Sequence, residues 1–143
     1  MRALLLTACL ALTGCAAPLQ TSIDVVNVVT AGSVPAITKV NADFSAAEHA
    51  CLAGAVDLAS QRSCLDRTEA RFVPALQAGD DLAALLALAV AVIRTEEARE
   101  KAGGAPALEQ AAMLVPELLA LADRFNAALA AMRATVATVK GTP

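Results

Sequence analysis

The chain has 143 residues, 57% of them apolar, and its 11 basic and 14 acidic side chains give a formal net charge of −3. A mildly acidic balance with scattered charges and no basic stripe argues against nucleic-acid binding. Phe44, Phe72 and Phe125 are the only aromatic residues, which also argues against stacking on bases and against an aromatic platform for sugars.

Met1-Arg2 supplies one positive charge, and residues 3–12 follow, apolar except for Thr7. A membrane-spanning helix needs ~20 apolar residues. This run is too short and reads as the apolar region of a secretory signal. It closes on Leu12-Thr13-Gly14-Cys15: an aliphatic residue, a small one, Gly, then Cys. Over residues 1–15 the chain resembles the bacterial lipoproteins, whose lipobox these four residues match position for position. The resemblance implies a signal peptide at 1–14, cleavage between Gly14 and Cys15, a diacylglyceryl group on the Cys15 thiolate and acylation of the new amine. One buried chain anchors only marginally at ~0.8 kcal/mol per methylene, whereas two or more hold firmly. Ala16 and Ala17 come next. In the enterobacterial form of the family an Asp at that point retains the protein in the inner membrane. The resemblance therefore implies the periplasmic face of the outer membrane, if the host is Gram-negative.

Removing 14 of the 143 residues leaves 129, with ten basic and fourteen acidic side chains and a net charge of −4 once Arg2 is gone. That is one domain, able to bury roughly two-thirds of its unfolded surface. The expected layout is a lipidated tether at 15–20 and a single helical domain at 21–143. Cys9 departs with the signal and Cys15 carries lipid, leaving Cys51 and Cys64 as an even pair in an oxidising compartment. A continuous helix over 51–64 would hold the two Cα atoms ~20 Å apart, while a bridge needs less than ~7 Å. A disulfide is therefore expected together with a chain reversal near Gly54 or at Ser60-Gln61-Arg62-Ser63. The alternative is two thiols that are not partners.

Thr21-Ser22-Ile23-Asp24 fits a variant capping box. Residues 23–29 are rich in β-branched side chains and suit a strand as well as a helix. No second strand candidate follows, and a lone strand leaves its backbone groups unpaired, so a helix ending at Gly32 is expected. Ser33-Val34-Pro35 reads as a restart. Ile37, Val40, Phe44, Ala47 and Cys51 then recur at steps of three and four, one apolar helical face. Ser45-x-x-Glu48 offers a second restart point.

From Cys64, the pattern Leu65, Glu69, Phe72, Val73 and Leu76 predicts another amphipathic helix, kinked or ended by Pro74. Gly79-Asp80-Asp81 reads as the opening of the next, with an Asp as cap. Residues 82–93 carry no polar side chain and predict a helix buried on all sides. Residues 94–101 emerge into water, with Glu97 and Lys101 at favourable spacing, and Gly103-Gly104 stops them. Pro106 begins the last unit. Leu114, Leu118, Leu121, Phe125, Ala128, Met132, Val136 and Val139 form its stripe, with a bend at Pro116. The sum is an all-α bundle of four to five helices centred on residues 82–93.

Chemistry is sparse. His49 is the only histidine, and on a helix its neighbours Glu48 and Cys51 point away from it. No Glu-x-x-His or Cys-x-x-Cys ligand spacing, nucleophile elbow or phosphate loop occurs in the sequence. Asp80-Asp81 and Glu96-Glu97 read as a cap and a solvated helix end. Neither enzymatic activity nor a metal or cofactor is expected.

The leading expectation is a non-enzymatic lipoprotein that acts as adaptor or assembly factor for another cell-envelope protein. Its general plan is similar to that of the secretin pilotins, short acylated helical proteins often with one disulfide. A phage-encoded envelope lipoprotein fits equally. The alternative is a carrier of a lipid or other hydrophobic small molecule in a helical cavity, with a filled core as the default.

Overall fold

A computed structural model describes residues 18–103 and 108–140, with side chains over 20–103 and 112–135. The signal segment, the lipobox with Gly14 and Cys15, and Pro106 lie outside the described residues. Three long helices account for almost all of the described chain: α1, Pro18–Gly54; α2, Leu58–Lys101; α3, Leu108–Lys140. At 1.5 Å per residue their 37, 44 and 33 residues make rods of roughly 55, 66 and 50 Å. Each packs against both others.

The all-α expectation holds among the described residues, but its count of four to five helices gives way to three. Residues 23–29 are helical, and α1 runs on through Gly32 and Pro35. α2 likewise runs through Pro74 and Gly79, and α3 through Pro116. The three prolines share a setting that explains why none ends its helix. Pro35, Pro74 and Pro116 are all exposed, and so are Ala31, Ala70 and Ala112, the residues four positions earlier whose carbonyls lose a donor. Each freed carbonyl lies on a wet face, so the cost of the missing bond is offset by packing on the opposite face.

The helices run up and down. Phe44 of α1 meets Phe72 of α2, ring centroids 5.6 Å apart. Farther along, Ser22 and Val26 share a layer with Ala89 and Ile93 of α2 and with Leu114 and Leu118 of α3. As α1 advances from 22 to 44, α2 retreats from 93 to 72. The core is one continuous stripe, with Phe125, Leu82 and Leu118 as its largest fully buried side chains.

Residues 82–93 lie in the longest helix, past its midpoint, but they are not buried all round. Leu82, Leu85, Leu86, Ala89 and Ile93 face inward, while Ala83, Ala84, Ala87, Leu88 and Ala91 are exposed. Three helices offer each member a single covered stripe, and alanine is small enough to be left outside it at little cost. By length and composition, stretches of α1 and α2 would pass for membrane spans, a test that core helices of soluble bundles also pass.

Gly79 is not a helix start, and Asp80 and Asp81, both exposed, lie in mid-helix and cap nothing. Gly79 is a packing notch. A Cβ placed on it would lie 3.3 Å from Phe125 Cε2 and 3.4 Å from Ile37 Cγ1, so both neighbouring helices close in at this point. Gly79→Val is expected to destabilise the bundle by about 1–3 kcal/mol, because the extra carbons force Phe125 and Ile37 aside and outweigh the gain in helix propensity. Chemical denaturation followed by far-ultraviolet circular dichroism measures this, and a more stable variant would refute the notch.

The ends of α2 are set locally. Asp57, in extended conformation (φ −148°, ψ 166°), is its N-cap. Its carboxylate accepts a 2.7 Å hydrogen bond from the Ser60 N–H. Hydrogen bonding from Ser60, first from its backbone and then from its side chain, holds this carboxyl below the usual range, since both bonds favour the charged form. At the far end Gly103 adopts φ +79°, the left-handed conformation that terminates helices. That stop is the one the Gly-Gly pair predicts.

Candidate functional site

Three features of the described chain could carry function: the bridged turn between α1 and α2, the polar groups buried at the opposite end, and a groove part-way along the bundle.

The turn is built from Gly54, the short link 55–57 and the Asp57 cap. It brings Cys51, in the last turn of α1, to within 5.6 Å (Cα–Cα) of Cys64 in the second turn of α2, and the two form a disulfide. The reversal falls just after Gly54, one of the two places the spacing demanded. Cys51 is buried, and its bridged sulfur accepts from the Thr68 hydroxyl at 3.4 Å. The Gln61 side-chain amide reaches back to the Leu52 carbonyl, also at 3.4 Å. Leu52, Val56 and Leu58 stand exposed around this turn. His49 lies close by but is exposed, with Nδ1 2.8 Å from the Ser45 carbonyl oxygen one turn back. Among the described residues the structure does not bring it together with a set of metal ligands. No cluster of three or more potential metal ligands occurs among the described residues.

At the other end the solvated pair Glu96-Glu97 needs correction. Glu96 is only 2% exposed, beside Arg99 at 3.8 Å, and Ser22 of α1 is buried too. The period-3.6 stripe of α2 continues through Ile93 to position 96, so the carboxylate occupies an inward position. The sequence did contain that signal, masked by the charge of its neighbours. The enclosed space in this layer amounts to about 10 Å³, close to what one water occupies.

The groove lies between α1 and α3 over α2, and its volume is about 440 Å³. Its floor is Val40, Phe72, Leu129 and Met132, and Lys39, Asp43, Arg71 and Arg133 add charge. Lys39 is committed to Asp43, its ammonium 2.9 Å from both carboxylate oxygens. Arg71 and Arg133 make no ion pair among the described residues, and Arg71 Nε is buried without a hydrogen-bond partner. The Arg71 guanidinium lies 5.1 Å from the centroid of the Phe72 ring, a distance at which the ring face attracts a cation. Sequence reasoning anticipated a choice between a filled core and a hollow one, not a groove outside a filled core. Its residues come from three helices at spacings no local motif records.

No known relative bears on these features. No protein-family model matches the chain, and no curated protein or solved structure does either. The fold and the sites therefore rest on their own geometry.

Proposed function

We propose that this chain is a membrane-anchored, non-enzymatic lipoprotein whose helical bundle serves as adaptor or assembly factor for another cell-envelope component. In this reading Cys15 carries the lipid after cleavage behind Gly14, and the bundle sits on the periplasmic face of an outer membrane where the host has one. The observation that carries it is the disulfide between Cys51 and Cys64. Such bridges persist in oxidising compartments, the destination the lipobox specifies. A bridged helical bundle behind an acylated cysteine is also the general plan of the pilotins, and a phage-encoded envelope lipoprotein shares it. α1 begins at Pro18, so the lipid would join the folded body through a very short linker.

Metabolic labelling with a palmitate analogue tests the anchor. The chain is expected to take up the label, and Cys15→Ser is expected to abolish uptake and release the protein from the membrane fraction. Unlabelled chain, or a Cys15→Ser variant that fractionates unchanged, would remove this function. The carrier reading draws less support in its original form. The enclosed space at the core layer around Ser22 and Leu118 is too small for a lipid, and the space of ligand size lies in the lateral groove.

A further inference from the structure

We propose that the groove between α1 and α3 is a binding site for a free fatty acid, with Arg71 and Arg133 taking the carboxylate and the floor taking the acyl chain. The inference goes beyond the adaptor reading and does not depend on it, since every residue it uses lies in the bundle.

Size is the first argument. About 440 Å³ falls inside the ~300–1,000 Å³ range of small-molecule sites, which are mostly apolar with a few placed polar groups. Charge is the second. With Lys39 and Asp43 neutralising each other, Arg71 and Arg133 leave the groove with two surplus positive charges in a chain whose overall balance is acidic. A monoanion with an apolar tail complements that arrangement, whereas a neutral lipid would leave both cations unanswered.

The third argument is the chemistry of Arg71. Its side chain lines the groove, with Nε itself buried and closed to a ligand. The two terminal Nη–H groups form a planar fork that matches a carboxylate through two parallel bonds. Phe72 stacks near the guanidinium, and Leu129 and Met132 of α3 form the facing wall. Met is suited to the chain, being unbranched and adaptable to the irregular outline of a flexible ligand. The protein's own lipid is an unsuitable occupant. Val40 lies 22 residues along α1 from Pro18, a distance of ~33 Å, which separates the groove from any anchor at Cys15.

The test uses the full-length Cys15→Ser chain, oxidised at Cys51 and Cys64 and free of acyl groups, titrated with laurate below its micellar concentration by calorimetry and amide chemical-shift mapping. Laurate is expected to bind at one site and to shift the signals of Val40, Phe72 and Met132. Dodecanol is expected to bind at least about tenfold more weakly, the loss of a charged hydrogen-bonded pair. The paired substitution Arg71→Gln/Arg133→Gln should weaken laurate by a similar factor in a chain that keeps its helicity. Arg133→Gln alone, at an exposed position that folding does not need, should weaken it several-fold. No binding of laurate, equal binding of dodecanol, shifts confined to the exposed leucines around the bridged turn, or a doubly substituted folded chain that binds as before would each overturn the site. None of these outcomes touches acylation at Cys15, so the site and the anchor fail separately.

Discussion

Replacing Phe125 with alanine is expected to lower the free energy of unfolding by about 3–5 kcal/mol, the range for deleting a buried aromatic ring. The upper half of that range is the better expectation here. Phe125 is 1% exposed, and the face of α2 toward it has been cut back to a glycine so that the ring can approach. The hole left behind would be bordered by Gly79, which has no side chain to swing into it, and by Ile37 across the gap. Three long helices packed along their length cannot collapse locally into the hole, so the cavity term of the cost persists. Urea denaturation followed by circular dichroism at the helical band reads the effect, the chain having no Trp or Tyr for fluorescence. A loss below about 1 kcal/mol would mean that Phe125 is not at the centre of the core.

The second large effect concerns the Cys51–Cys64 bridge. Its 13-residue separation closes a loop for which the chain-entropy model gives ~3 kcal/mol, acting chiefly on the unfolded ensemble. Reduction with dithiothreitol, or Cys51→Ala combined with Cys64→Ala, should therefore lower the melting temperature by roughly 10 °C in a domain of this size. Reduction should also raise the denaturant m value, because the unbridged chain unfolds to a more exposed state. The helical signal at low temperature should persist, since the core above Phe72 does not involve the bridge. An unchanged melting temperature would show that the turn is held by the Asp57 cap and local packing alone.

The parts of this fold that could be read in advance were those written as periodic stripes. The face Ile37, Val40, Phe44, Ala47, Cys51 is buried or packed on the core, and the α3 stripe through Leu118, Phe125 and Met132 does the same. The bridge was legible because spacing and compartment converged on it. What failed was the placement of boundaries. Gly32, Pro35, Pro74 and Gly79 each carry a local preference for ending a helix. In the bundle each is overridden, the prolines because they face water and Gly79 because two other helices need the room. Local preference is a weak prior beside a continuous buried stripe. Glu96 failed for the converse reason: its charge suggested the surface while its register put it inside. The groove residues Lys39, Arg71 and Arg133 lie on three different helices, and only the packed bundle reveals that they share a wall.

An odd number of antiparallel rods has a consequence for the poles of the molecule. α1 starts at one pole and α3 ends toward the other, so Pro18 and Lys140 lie far apart along the long axis. If lipid holds the entry pole, the bridged turn with its leucines stands off by nearly the full length of α1, about 50 Å. That clearance would let the molecule reach across to something not itself at the bilayer.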